Sequence, residues 1–182
     1  MNRLTPYGGV HYSLASGEEL TVLEIVGRDG KQYGLAAPIC FEDVMPYLCR
    51  RAVVDPQGRK RVDMLVNISN DGWFNGSAEL PQHLAICVFR AVENRVPIAR
   101  AVNTGISALI DSAGRVERVV ESSSGDRRAV SGVLTGRVRP DARLAPYGRI
   151  GDTAWALLLL IIGLELLWGL RKIMHRSRSK AR

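Results

Sequence analysis

At 182 residues, with 46% hydrophobic and 24% charged content, the chain can bury one sizeable core and is too short for two large domains. Of its formal charge of +7, six units lie in the C-terminal stretch RKIMHRSRSKAR, so the rest carries only +1 and offers no basic surface for nucleic acid. Three cysteines without a C-x-x-C pair, and three histidines without H-x-x-x-H spacing, argue against a disulfide framework, a zinc knuckle or a dedicated metal site, and no cofactor motif is present.

The first twenty residues lack the apolar core of a signal peptide. LTVLEIV (20–26) and YGLAAPIC (33–40) read as strands joined by GRDGKQ, a hairpin turn built on Gly27, Asp29 and Gly30. DVMPYLCRRAVV (43–54) reads as a helix and MLVNIS (64–69) as a strand. A second helix is predicted over 78–95, with Ser77 as N-cap and Pro81 in its first turn. Its apolar face is drawn from Leu80, Leu84, Ala85, Val88, Ala91 and Val92. VPIARAV (96–102) is a further strand, and ISALID followed by SAGRVERVV (106–120) a second hairpin. The alternation is that of an α/β domain with mixed strand pairing.

Beyond it, residues 121–132 read as a polar loop and 137–152 as a linker, which sets the body at 1–150 and an appendage at 151–182. Residues 154–170 form a nearly unbroken apolar run, with Trp155 and Trp168 near its ends where indoles favour the membrane interface. We read one transmembrane helix; a buried core helix is the alternative, since Glu165 is costly in lipid. The basic tail places residues 171–182 in the cytoplasm and the body on the opposite face.

A cysteine reacts as its thiolate, which a helix N-terminus stabilises. Cys40 would sit at such a place if 33–40 is a strand and 43–54 the helix that follows. From the residues alone, a buried core thiol is the commoner outcome. Cys49 and Cys87 fall within helical apolar patterns and read as core or interface residues.

APICFEDVMP nevertheless resembles the nucleophile segment of the nitrilase, or carbon–nitrogen hydrolase, superfamily. NISNDGWF, QHLAICVFRAVENRVPIARAVNTGISALIDSAGRV and LAPYGRIGD, in that order, are similar to the carboxy-terminal part of the apolipoprotein N-acyltransferase family, closing helix and basic tail included. The resemblance runs from about Gly34 to the end. It implies a partial nitrilase-like α-β-β-α sandwich followed by one transmembrane helix, in a bacterial inner membrane with the body on the periplasmic face. The implied reaction moves an acyl chain from a phospholipid donor, through a Cys thioester, to the amino terminus of a diacylglyceryl-cysteine apolipoprotein.

Carried over residue by residue, Cys40 matches the nucleophile and Glu42 the acid that follows it. Glu42 either orients the site or acts as a helix-start acid. Trp73 and Phe74 match an aromatic pair that either lines an acyl channel or lid or plugs the core, and Asn103, Gly105 and Ser107 match positions bordering the pocket, a turn role being the alternative for Gly105. Asn70 and Asp71 read as loop-fixing residues, His83 as a structural histidine, and Arg90, Glu93 and Arg100 as ion-pairing groups.

The superfamily's general-base Glu and oxyanion-stabilising Lys belong to segments upstream of the Cys motif, and nothing in residues 1–39 matches them. Glu18, Glu19 and Lys31 are the only loose candidates, and no role is carried over to them. The expectation is therefore the back half of an enzyme, inactive alone: a truncated reading frame, a decayed copy, or one piece of a split gene whose partner is a polypeptide carrying the other half. A membrane-anchored nitrilase-type amidase and a non-catalytic membrane-tethered module are the alternatives.

Overall fold

The computed structural model describes residues 17–180. Six strands form one mixed sheet whose spatial order is the chain order. β1 (Leu23–Val26) and β2 (Gln32–Ala36) are an antiparallel hairpin, closed by Gly27 N–H to Lys31 O at 2.8 Å. Gly30 takes φ 77°, open to glycine without steric cost. β3 (Met64–Asn70) runs parallel to β2, and β4 (Ile98–Asn103) parallel to β3. Parallel neighbours need crossover connections, and these carry α1 (Pro46–Val53) and α2 (Glu79–Asn94). β5 (Ala108–Ile110) and β6 (Val116–Val119) complete the sheet antiparallel to their neighbours.

Both crossover helices lie on one face of the sheet. Ala52, Val53, Cys87 and Ala91 from the helices close on Leu65, Ile98, Ala108 and Ile110 from the strands. Leu65 is fully buried, and truncating such a side chain to alanine typically costs about 2–5 kcal/mol. The period of two along β3 sends Leu65, Asn67 and Ser69 towards the helices and leaves Ile68, on the outer face, exposed. This is an α–β half of the expected sandwich. The outer face is crossed by an extended stretch, where Ala129 N–H meets Thr104 O at 2.9 Å and Arg118 donates to Thr135 O at 3.0 Å.

Three local expectations are corrected. β2 ends at Ala36 rather than at Cys40, and beyond it a lone bridge pairs Ile39 with Ile68. The helix expected from residue 43 is split into a 3-10 turn over Cys40–Val44 and α1 from Pro46, with Met45 extended at φ −96° and ψ 100°. Pro46 causes the break: its ring forces the preceding residue out of helical conformation while suiting the first helical position itself. On α2 the buried face is Leu80, His83, Cys87, Arg90, Ala91 and Asn94, whereas Ala85 and Val92 point outward. Four of those six side chains carry polar or thiol groups, so apolar periodicity misplaces the face.

Residues 137–152 do more than link. Asp141 accepts from Ser112 Oγ at 2.8 Å, and α3 (Pro146–Ile150) packs against α2. Arg50 of α1 donates to the carbonyls of Tyr147 (3.2 Å), Gly148 (3.0 Å) and Arg149 (3.2 Å). α4 (Thr153–Lys180) follows. Its stretch Thr153–Lys172 has a mean hydropathy of 2.0 and no buried residue, making it long and apolar enough to cross a membrane.

Candidate active site

Cys40 opens the 3-10 turn with φ 51°, a left-handed conformation that few non-glycine residues adopt and that costs free energy. It is half-buried, whereas Cys49 and Cys87 are buried. Burial pushes the Cys49 thiol up to about 12 and the Cys87 thiol higher still, the positive charges of Arg90 and Arg100 offsetting only part of the effect. Of the three thiols, Cys40 alone has solvent access. It borders an open cleft of about 1050 Å³ on the outer face of the sheet, lined also by Ile39, Ile68, Asn70, Asn103 and Leu134.

The predicted site residues fall into three places. Asn103 ends β4 directly beside Asn70 at the end of β3, so it shares the cleft with Cys40. Glu42 points away: its Oε2 accepts the Ile39 N–H at 2.8 Å, and its side chain lines a smaller cleft of about 270 Å³ with Leu20, Leu48 and Ala52. It pins the start of the turn that holds Cys40. Trp73 and Phe74 lie in a second 3-10 turn, Asp71–Phe74, and line neither cleft. Trp73 is exposed, while the ring of Phe74 stands edge-on to His83 with centroids 5.9 Å apart.

The remaining expectations divide. Asn70 fixes its loop by accepting the Gly72 N–H at 3.1 Å. Asp71, expected to bond backbone, bonds side chains instead: Ser69 Oγ at 2.6 Å, His83 Nδ1 at 2.9 Å and Arg100 at 2.8 Å. Gly105 packs so closely on Asp71 that a Cβ there would overlap the carboxylate. Ser107 both accepts from Val102 N–H (3.0 Å) and donates to Val102 O (3.2 Å), which ties the strand end. Arg90 pairs with Glu93 at 3.0 Å.

Asp43, three residues after Cys40, is the residue that sequence reasoning missed. Its buried carboxylate meets His83 Nε2 at 2.9 Å, the Cys87 thiol at 2.9 Å and Arg100 at 3.2 Å. Asn67 joins the group by accepting from Arg100 at 2.5 Å and donating to Pro38 O at 3.2 Å. The signal was the polar pair Asn67 and Ser69 at alternate positions of a strand whose inward face is otherwise apolar. Among the described residues, none hydrogen-bonds to the Cys40 sulfur, and no group of acids, cysteines and histidines has the arrangement of a metal site.

Chemically, the arrangement presents a strained, accessible thiol at the mouth of a wide cleft, braced from below by charge. Residues 11–127 match the carbon-nitrogen hydrolase family. The apolipoprotein N-acyltransferase of Geobacter metallireducens is 40% identical over 155 residues, covering 85% of this chain and 28% of that protein. That of Caulobacter vibrioides is 38% identical over 125 residues, covering 69% and 22%. The chain thus spans about a quarter of the length of these relatives. Among solved structures, a carbon-nitrogen hydrolase superfamily protein from Xanthomonas campestris superposes with a TM-score of 0.45 at 21% identity, covering 58% of this chain and 41% of that one.

Proposed function

The chain belongs to the carbon-nitrogen hydrolase family, and on that premise we propose that it is the thiol-bearing portion of an apolipoprotein N-acyltransferase. Cys40 would take an acyl chain from a phospholipid and pass it to the amino terminus of a diacylglyceryl-cysteine apolipoprotein. The observation that carries this reading is the Cys40 turn: an accessible thiol on a left-handed residue at the mouth of a cleft, within a sequence similar to acyltransferases.

In the first step the Cys40 sulfur attacks the ester carbonyl, the C–O bond breaks, and a lysophospholipid leaves with the thiol's proton. In the second step the amine attacks the thioester, an amide forms, and the amine's surplus proton returns to the sulfur. Each step needs a group to move the proton and another to hold the tetrahedral oxyanion. Among the described residues no side chain is bonded to Cys40 to serve either need, so we assign both to a polypeptide segment outside residues 17–180. Its natural seat is the open outer face of the sheet, in the cleft that Cys40 and Asn103 both line. Glu42 acts by holding the turn through Ile39 N–H. Trp73, exposed on the neighbouring turn, would meet the acyl chain outside the cleft, while Phe74 supports that turn against His83. α4 anchors the site in the bacterial inner membrane, with the body on the periplasmic face.

The test is transfer of a labelled acyl chain from phospholipid vesicles to a diacylglyceryl-cysteine peptide. Residues 1–182 alone should give no product. Co-expression with a segment supplying the family's Glu and Lys should give product that Cys40→Ser abolishes. Product that survives Cys40→Ser would overturn the assignment, and hydrolysis of small amides without transfer would favour an anchored amidase.

A further inference from the structure

His83 of α2 turns both ring nitrogens to carboxylates, Nδ1 to Asp71 Oδ1 and Nε2 to Asp43 Oδ1, each at 2.9 Å. Ionised carboxylate oxygens only accept, so each of these two lines must contain a proton. That is one proton more than a neutral imidazole and two carboxylates bring together. Arg100 occupies the two remaining carboxylate oxygens, NH1 on Asp43 Oδ2 at 3.2 Å and NH2 on Asp71 Oδ2 at 2.8 Å. One further charge faces this set, Arg90, which donates to the Asp43 carbonyl at 3.4 Å and is itself paired with Glu93; the other neighbours are neutral donors and rings, the Ser69 hydroxyl, the Cys87 thiol, Asn67, Phe41 and Phe74. Two negative charges are therefore balanced by Arg100 and by the extra proton, and none of His83, Asp43, Asp71 or Arg100 is more than 3% exposed.

The two carboxylates come from different turns. Asp43 closes the turn that begins at Cys40, and Asp71 opens the turn that carries Trp73 and Phe74. We propose that His83, carrying a proton on both ring nitrogens, is a positioning residue that clamps these two turns to one another and so governs the reactivity of Cys40 without touching it. This rests on the reading of Cys40 as the nucleophile, but its consequences can be measured without any acyl transfer.

The first measurement is on the full chain in lipid nanodiscs, labelled with 15N in the imidazole rings, with the His83 signals identified by their loss in His83→Gln. Both His83 nitrogens should resonate as N–H, each with a directly bonded proton. A bare nitrogen would overturn the proposal. The second is iodoacetamide labelling of His83→Gln near neutral pH. Gln cannot replace the positive ring, so negative charge remains under the turn and the Cys40 thiolate is disfavoured. Labelling of Cys40 should slow by about fivefold or more while Cys49 and Cys87 stay protected. In a Trp155→Phe, Trp168→Phe background the emission of Trp73 should shift as well. An unchanged Cys40 rate with Cys49 and Cys87 protected would sink the idea. If the variant exposes all three thiols, the state of the ring in the parent chain decides alone. Failure of acyl transfer itself would leave both readouts standing.

Discussion

At the scale of single residues, the three cysteines differ by environment more than by neighbours in sequence. Burial holds the Cys49 thiol up at about 12 and raises that of Cys87 further, so near neutral pH the folded chain offers almost none of either as thiolate. Limiting iodoacetamide should modify Cys40 first, read by mass spectrometry of the digest. Prior labelling of Cys49 or Cys87 would refute the placement of the turn. Gly105 supplies a second residue-scale test, because a methyl group there meets the Asp71 carboxylate and has no flexible neighbour to displace. Gly105→Ala should destabilise the body by about 1–3 kcal/mol, the usual range for overpacking, seen as a lower midpoint in urea. The motif in the sequence singles out Cys40 and Glu42 as candidates but gives no sign of Asp43. Two adjacent acids in FED look alike as letters, yet one ends up solvated on Ile39 N–H and the other enclosed by His83, Cys87 and Arg100.

At the scale of elements, hairpins and parallel strands were readable because turn chemistry and apolar runs are local properties. The glycine turn at 27–30 and the run MLVNIS emerge as β1–β2 and β3 with small changes at their ends. The face of α2 was not readable, because the helix buries polar groups matched to partners on β4, the Cys40 turn and the Asp71–Phe74 turn, and those partners are remote in sequence. Residues 137–152 misled for a similar reason: loop-like composition conceals α3, whose carbonyls are bound by a guanidinium nearly a hundred positions earlier. Arg50 delivers a cation to the end of a short helix, where it binds the carbonyls of Gly148 and Arg149 and shares that of Tyr147 with the Gly151 N–H. Arg50→Ala should therefore release α3 without unfolding the sheet, with faster amide exchange at residues 146–151 and unchanged protection in β3 and β4. Arg50→Lys should restore little, since an ammonium cannot reproduce the planar fork that spans three carbonyls.

At the scale of the whole molecule, the decisive feature is where the body meets the membrane. Thr153–Lys172 is 20 residues long, and at about 1.5 Å per residue it spans about 30 Å, the thickness of a bilayer's hydrocarbon core. Its side chains make no core with the sheet, since none of the stretch is buried. Trp155 lies near one end, and Trp168, with the Lys172 ammonium 3.3 Å above its ring, near the other. Indole and ammonium are groups that settle at the interface, so in a bilayer this pair would set the depth of the C-terminal end. Glu165 lies between them, and a carboxylate at that depth calls for a donor on a neighbouring helix or a route to the interface. The tail beyond Trp168 carries six Lys and Arg and no acid, while the body is close to neutral. The orientation proposed above follows from the bias of basic residues towards the cytoplasm: it would put the tail inside and Cys40 outside, on the side where the proposed ester donor and amine acceptor are both available. A reporter that works only outside the cytoplasm, fused after Arg182, should be silent, and the same reporter inserted in the 121–126 turn should be active. Replacing the six basic residues with Gln should weaken that preference, giving mixed signals from both fusions. Strong external activity from the Arg182 fusion of the parent chain would mean that Cys40 faces the cytoplasm, and the proposed acceptor could not reach it there.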